Sequence, residues 1–190
     1  MKTFLIIGLG NPGRQYADTR HNAGFMAADA LAARLGAAFA PWTKAEAAYL
    51  KTDYEGDTVY VLKPNTFMNL SGKAAAAFAN FYKIPPRNIL VIFDDMSLPL
   101  GIVRMRGGGG AGGQNGMKNI IELMGTQDIA RVRIGIGPRP DFFEGRDFVL
   151  SKFTAAERAV LKPALDRAAA AALDFVKSGI DIAMNKANIN

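Results

Sequence analysis

The chain contains no cysteine and only one histidine among its 190 residues. The absence of cysteine excludes disulfide bonds, thiolate zinc sites and a cysteine nucleophile, and it is compatible with a reducing compartment. Because His21 is the sole imidazole, a transition-metal site would have to be built mainly from carboxylates, which such metals favour less than imidazole or thiolate. We therefore expect no catalytic metal ion. No other cofactor is expected either.

Long apolar runs are also missing. A membrane-spanning helix needs about 18 or more consecutive apolar residues, and charged side chains interrupt even the alanine-rich C-terminal stretch. The first apolar segment ends early at Asn-Pro-Gly, with no small-residue cleavage site after it, so it favours a first strand over a signal peptide. We expect one domain over residues 1–190, a cytoplasmic location, no membrane association and, by default, a monomer.

The charge of the chain is unbalanced in one direction. The chain has twenty-three lysine and arginine residues and seventeen aspartate and glutamate residues, which gives a net charge of +6. A basic protein attracts polyanions over a long range, so nucleic acid is the leading candidate partner.

Buried strands and amphipathic helices alternate along the sequence. Strands are predicted at residues 3–9, 89–93, 102–106 and 131–136, and a hairpin at residues 49–53 and 58–63. This alternation predicts an α/β fold: a single domain with a mixed, mostly parallel twisted sheet and helices on both faces.

The predicted helices have recognisable ends. Asn22 can cap a first helix that Gly36 closes, Asn69 or Ser71 begins a second, which buries Phe78 and Phe81, and a third follows the glycine-rich residues 107–113. The pattern Thr-Ala-Ala-Glu at residues 154–157 is a capping box that begins a C-terminal helical region, which Pro163 should kink or divide.

His21 and Asp94 occupy the positions where this class of fold places active sites. His21 lies in a polar loop beyond the first strand, and Asp94 follows another buried strand. Hydrolysis by a general base needs a group that orients the base and donors for the charge that develops on the substrate oxygen. Asn11, Asn69 and Asn115 lie in loops or at a helix start and could be such donors, although asparagine also commonly caps helices and fills turns.

Two other functions stay open on the residues alone. Residues 8–13 match the Gly-x-Gly-x-x-Gly pattern of dinucleotide-dependent oxidoreductases, but no helix start follows directly to receive the pyrophosphate. The glycines are therefore expected to serve a loop. The second alternative is a non-catalytic RNA-binding module of the same fold.

Six motifs in order along the chain resemble those of bacterial peptidyl-tRNA hydrolases. They are Gly-Leu-Gly-Asn-Pro-Gly at residues 8–13, Tyr16 with Thr-Arg-His-Asn at 19–22, Lys-Pro-Asn-Thr-Phe-Met-Asn-Leu-Ser-Gly at 63–72, Asp-Asp-x-x-Leu-Pro-x-Gly at 94–101, the glycine-rich stretch into Asn-Gly at 115–116, and Arg-Ile-Gly-Ile-Gly at 133–137. The resemblance implies hydrolysis of the ester that joins a peptide, or an N-blocked amino acid, to the terminal ribose of tRNA.

The resemblance also implies roles for individual residues. His21 would deprotonate water, Asp94 would orient its ring, Asn11 and Asn69 would hold the peptide end and the ester, and Asn115 would bind water or substrate. The remaining expected contacts to peptide or tRNA come from Tyr16, Phe67, Met68, Gln114, Arg106 and Arg133.

The sequence departs from the family pattern at two positions. Gln114 stands where the family commonly has histidine, and Ser97 where it often has aspartate. Glutamine keeps hydrogen-bonding capacity but cannot take up a proton near neutral pH. We expect activity to be retained, so that Gln114→His does not raise the rate by orders of magnitude.

Overall fold

The computed structural model describes residues 1–189, which form seven strands and six helices. The strands are β1 (Thr3–Gly8), β2 (Ala40–Trp42), β3 (Ala47–Tyr54), β4 (Asp57–Pro64), β5 (Ile89–Pro99), β6 (Val103–Arg106) and β7 (Ala130–Gly137). The helices are α1 (Ala23–Leu35), α2 (Ser71–Phe81), α3 (Asn115–Met124), α4 (Gly145–Leu150), α5 (Ala155–Ser178) and α6 (Ile180–Ala187).

All seven strands lie in one sheet, in the order β2-β3-β4-β1-β5-β7-β6. The central strands β4, β1, β5 and β7 are parallel, whereas β2 and β3 at one edge and β6 at the other pair in the antiparallel sense. The predicted α/β class and the mixed, mostly parallel sheet are confirmed.

The sheet separates two hydrophobic cores. Because side chains alternate along a strand, Phe4 and Ile6 of β1 face a core with α1, α5 and α6, while Leu5 and Ile7 face a core with α2 and α3. Strands covered on both faces are continuously apolar, as β1 is, and the expected helices on both faces are present.

Of the two outcomes predicted for Pro163, a kink or a division of the C-terminal helical region, the division does not occur. Helix α5 runs unbroken from Ala155 to Ser178 with Pro163 inside it. Both Pro163 and Ala159, whose carbonyl loses its helical partner, are exposed, so water can replace the missing hydrogen bond. The break lies instead at Gly179, whose φ of 80° is readily adopted only by glycine.

The predicted burial of Phe81 is also wrong. Phe78 is fully buried, but Phe81 is the last residue of α2 and is 50 % exposed. Its ring packs against Trp42 and lies 3.8 Å from the ammonium nitrogen of Lys44. Strand β2 and helix α4 were not predicted, because one is three and the other six residues long and neither has a strong periodic signal.

The parallel centre of the sheet brings two chemically important strand ends together. Strands β1 and β5 are direct neighbours, with Gly8 opposite Ile92, so the loop after β1 and the carboxyl half of β5 meet at one edge. In residues 1–189 no helix has both the length and the apolar character needed to cross a membrane.

Candidate active site

A cavity of about 700 Å³ opens at the carboxyl edge of the sheet, above β1 and β5. Nine of the eleven predicted site residues line it: Asn11, Tyr16, His21, Phe67, Met68, Asn69, Asp94, Gln114 and Asn115. The structure therefore brings together residues that are up to 104 positions apart in the chain (115 − 11).

His21 and Asp94 form a hydrogen-bonded pair in this cavity. His21 lies in a 3₁₀ turn, Arg20–Asn22, directly before α1, and its Nδ1 is 2.8 Å from Oδ2 of Asp94 in β5. Only 13 % of the His21 side chain and 3 % of the Asp94 side chain are exposed. Because a carboxylate accepts hydrogen bonds, Nδ1 donates, and the lone pair of the neutral ring is on Nε2.

The surroundings of His21 affect its pKa in opposite directions. Burial lowers the pKa of His21, but the negative charge of Asp94 and the hydrogen bond to it together outweigh burial. The pKa therefore lies above its ordinary value of 6.5. A raised pKa makes the imidazole a stronger base than a free histidine.

Arg20 fixes the turn that carries His21. Its guanidinium donates to both carboxylate oxygens of Glu157 at 2.8 and 2.9 Å, and its Nε donates to Ser151 Oγ. The same group lies 4.7 and 4.9 Å from the ring centres of Phe148 and Phe153. This anchor was not predicted from the sequence: the position of Arg20 directly before the one histidine marks it as a candidate, but nothing in the sequence identifies Glu157 or Ser151 as its partners.

Asn11 is held by the Met68 backbone and by the Asn22 side chain. Its side-chain Oδ1 accepts from the Met68 amide at 2.8 Å, and its own backbone N–H and carbonyl pair with the side-chain amide of Asn22. Asn22 thus stands at the predicted start of α1, but its side chain makes no cap hydrogen bond there. Since the oxygen of Asn11 is engaged, its Nδ2 is the group that can donate to a substrate.

Asn69 and Asn115 are the exposed amides of the cavity. Asn69 lies in the 3₁₀ turn Met68–Leu70, and Asn115 is the first residue of α3. Tyr16 and Phe67 pack edge to face, with ring centres 6.3 Å apart, and give the cavity an aromatic wall. The cavity therefore combines neutral amides with apolar surface.

Gln114 is buried beside Asp94, with 7 % of its surface exposed. Its Nε2 lies 3.1 Å from Asp94 Oδ1 and 3.1 Å from the sulfur of Met68, and its Oε1 accepts from the Met117 amide at 2.8 Å. Gln114 is thus the N-cap of α3 as well as a wall residue of the cavity.

Arg106 and Arg133 do not line the cavity. Arg133 donates to Asp95 Oδ2 at 3.0 Å, and Arg106 is exposed on the edge strand β6. Arg104 stands opposite Arg133, and Arg106 opposite Arg131, so these side chains share one face of the β6–β7 pair. The two predicted arginines are therefore not part of the cavity wall: Arg133 adjoins the wall through Asp95, and Arg106 lies further from the carboxyl edge of the sheet, opposite Arg131.

Several cavity residues were not predicted. Asp95 accepts from Arg133 and from both the amide and the hydroxyl of Ser97, so the neighbour of Asp94 is fully engaged. Helix α4 contributes Gly145, Arg146, Val149 and Leu150 to the wall. No sequence pattern marked α4, but Asp95 could have been inferred from its place next to Asp94.

The glycines of residues 8–13 serve close packing. A Cβ on Gly8 would stand 2.4 Å from the Gly24 carbonyl oxygen, and one on Gly10 would stand 2.5 Å from the ring of Phe25. Helix α1 begins only at Ala23, ten residues after Gly13 (23 − 13), and not directly after the glycines as in the dinucleotide-binding pattern. Its first turn packs against Gly8 and Gly10, and the Phe25 amide donates to the Leu9 carbonyl, so this contact is filled by the protein itself. In the described part of the chain, no three His, Asp or Glu side chains cluster so as to hold a metal ion.

A histidine–carboxylate pair with amide donors, at the carboxyl edge of a mostly parallel sheet, is typical of hydrolytic enzymes of the α/β class. A family model described as peptidyl-tRNA hydrolase matches residues 5–190. Peptidyl-tRNA hydrolases of Elusimicrobium minutum and Desulfitobacterium hafniense are 55 % and 47 % identical to the chain, each covering 97 % of it and 98 % of their own length. The crystal structure of peptidyl-tRNA hydrolase from Acinetobacter baumannii superposes with a TM-score of 0.92 at 36 % identity, over 98 % of this chain and 94 % of that one. The chain belongs to the peptidyl-tRNA hydrolase family, which confirms the expected family and the expected enzyme class.

Proposed function

We propose that the chain hydrolyses the ester bond between a peptide, or an N-blocked amino acid, and the 3′-terminal ribose of tRNA. The observation that carries the proposal is the pairing of the only imidazole with a buried carboxylate inside the cavity. In this reaction Nε2 of His21 takes a proton from water while the water oxygen attacks the ester carbonyl. The protonated ring then returns the proton to the ribose oxygen as the carbon–oxygen bond breaks.

The role of Asp94 follows from the geometry of the pair. By accepting from Nδ1, its carboxylate holds the ring in the tautomer whose Nε2 is a base, and it stabilises the imidazolium that forms. The ester leaves as a ribose hydroxyl, a better leaving group than an amide nitrogen. One base and a set of donors are therefore sufficient, without a metal ion or a covalent intermediate.

The asparagines are proposed as substrate donors. Asn11 offers Nδ2, because its oxygen is bound to Met68, and Asn69 and Asn115 present exposed amides at the cavity wall. A neutral amide pairs well with a peptide group or a developing oxyanion. The charged amine of an unblocked aminoacyl-tRNA would lack a partner there, so it should be a poor substrate.

The aromatic and basic groups are assigned to the two ends of the substrate. Tyr16, Phe67 and Met68 would line the cleft for the peptide, while Gln114 borders it on the side of α3. Arg106 and Arg133, outside the cavity, would bind tRNA phosphates. We further propose that residues 1–190 act as one catalytic domain, as a monomer, in the cytoplasm and without a metal ion.

The test is the release of N-acetyl-aminoacyl groups from tRNA by the purified protein, with and without a chelator, beside His21→Ala. Loss of one general base should lower the rate about 10²- to 10⁴-fold, while the chelator should have no effect. A chelator-sensitive rate would contradict the metal-free mechanism. A protein that binds tRNA but releases no product would instead support the RNA-binding alternative, for which the arrangement of the cavity offers no separate support.

A further inference from the structure

We propose that Gln114 is a positioning residue, which orients the Asp94 carboxylate so that one of its oxygens faces His21. This inference deepens the proposed function, because it concerns the group that orients the base. It replaces contact with substrate as the main role of Gln114.

Asp94 is enclosed and has a separate donor for each oxygen. Oδ2 accepts from His21 Nδ1 at 2.8 Å, and Oδ1 accepts from Gln114 Nε2 at 3.1 Å. With 3 % of its side chain exposed, Asp94 cannot rely on water to fill a missing place. Rotation of the carboxylate would break both hydrogen bonds together, so the donor on Oδ1 also restrains Oδ2.

The direction of the Gln114 amide is set by α3. Its Oε1 accepts from the Met117 N–H, one of the amides at the helix start that have no helical partner. A flipped amide would point oxygen at the Asp94 carboxylate and leave the Met117 N–H unpaired. The remaining hydrogen of Nε2 meets the sulfur of Met68, so the whole amide has defined partners.

Glutamine suits this task because it is not titratable. Its amide donates at every pH, whereas an imidazole in the same place would change its donor pattern with protonation. The glycine-rich residues 107–113 lead directly into Gln114, which also begins α3. Both segments are therefore connected to His21 by two hydrogen bonds, from Gln114 to Asp94 and from His21 to Asp94.

The experiment uses three variants of the full chain. Gln114→Met has similar length but no donor, and Gln114→Ser keeps a good N-cap but is too short to reach Asp94. Gln114→His can still offer a donor and should stay within a few-fold of the native rate. We expect kcat to fall about tenfold in the Met and Ser variants with KM within twofold, as for loss of a hydrogen bond to a charged group.

A direct measurement is available because His21 is the only histidine. Nitrogen-15 NMR of the substrate-free protein should show the neutral ring with its proton on Nδ1. In Gln114→Met and Gln114→Ser the signals should move toward the Nε2-protonated tautomer. This measurement needs no activity, so it distinguishes failure of the positioning role from failure of the proposed reaction.

A double-mutant cycle decides whether Gln114 acts through Asp94. In the Asp94→Asn background, Gln114→Met should cause no further loss of kcat. Full additivity of the two losses would overturn the proposal. Native kcat and a native His21 tautomer in Gln114→Ser would also overturn it, because only a capping role for Gln114 would then remain. A rise in KM with unchanged kcat in the Gln114 variants would overturn it too, because it would indicate contact with substrate.

Discussion

At the scale of single residues, the basicity of His21 depends on Asp94. Burial alone would lower the pKa of His21 and weaken it as a base, and Asp94 more than reverses this effect. The 2.8 Å hydrogen bond that does so also selects the tautomer. One carboxylate thus controls both the pKa and the tautomer of the proposed base.

Asp94→Asn should therefore change the pH profile as well as the rate. Only the neutral imidazole accepts a proton, so kcat/KM falls as the pH drops through the His21 pKa. Without the charge of Asp94 burial remains, so the pKa falls and the acid limb of the profile moves to lower pH. The plateau should fall at least about 100-fold, within the range for loss of acid–base catalysis.

The measurement is the rate of release from N-acetyl-aminoacyl-tRNA against pH, together with an NMR titration of the single imidazole. Ser97→Ala is a useful control, because Ser97 donates to Asp95 and not to Asp94. An acid limb that stays in place in Asp94→Asn would show that Asp94 does not set the His21 pKa.

At the scale of secondary-structure elements, the glycine-rich residues 107–113 are held by a buried cation. Arg131 of β7 donates to the carbonyls of Gly109 and Gly110, and also to those of Gln127 and Ile129. Its guanidinium is thus surrounded by backbone oxygens. The contacts to Gly109 and Gly110 thus fix the middle of a segment whose glycines are otherwise mostly exposed.

Arg131→Met should release this segment. Four carbonyls would lose a charged donor, and we expect the free energy of unfolding to fall by about 2 kcal/mol. Hydrogen exchange of the amides in residues 107–113 should become faster. Arg104→Met, on the same face of the neighbouring strand, is the matched control, because Arg104 donates only to its neighbour Val103 among the residues described. Equal exchange in both variants would contradict the holding role of Arg131.

The first turn of α5 supports the His21 turn through Glu157. Burial raises the pKa of Glu157, but hydrogen bonds from the Thr154 backbone and from Arg20, with the charge of Arg20, lower it more. The net pKa lies below its ordinary value of 4.5, so the ionised form stabilises the folded state.

Glu157→Gln should thus destabilise the protein in a pH-dependent way. Arg20 is nearly buried, so we expect a loss of about 1–2 kcal/mol at pH 7, discounted for the partial exposure of Glu157. For a lowered pKa, this stabilisation is complete above about 4.5 and disappears as the pH falls through the folded-state value. Denaturant unfolding at pH 7 and pH 3 measures the difference, and Glu122→Gln, in an exposed pair with Lys118, should change little. An equal loss at both pH values would mean that the charge of Glu157 is not involved.

The elements differ in how far the sequence could predict them. Strand β1 and helix α1 were predicted because the apolar run, Asn22 and Gly36 are local signals. The side chain of Asn22, however, pairs with Asn11 and not with the helix, and that choice depends on the tertiary approach of β1 to α1. Pro163 was misjudged because a proline penalty depends on whether water can reach the freed carbonyl, which requires knowledge of the buried face.

At the scale of the whole molecule, parallel strand order explains why the site could be assembled from the sequence. His21 and Asp94 were expected at strand ends, and the adjacency of β1 and β5 brings them within 2.8 Å. The contacts of Gln114, Arg20 and α4 could not be derived from the sequence. They join segments that are distant in the chain, and such contacts leave no periodic pattern of residues. The amide orientation of Gln114 depends on Met117 and Asp94 at once, and only the folded chain brings both to it.

The net charge of +6 belongs to the whole molecule and favours the approach of a polyanion such as tRNA. If Arg106 binds a phosphate, Arg106→Ala should weaken tRNA binding and reduce the slope of log K against log salt by about 1, because fewer counterions are released. Binding would be measured in the His21→Ala background to prevent turnover. Arg87→Ala is the matched control: it removes the same charge from an exposed arginine just before β5, at the opposite end of that strand from Asp94. A phosphate contact would reduce the salt slope only in Arg106→Ala, whereas a general effect of net charge would change the slopes of both variants equally. Equal slopes in the two variants would therefore contradict a phosphate contact by Arg106.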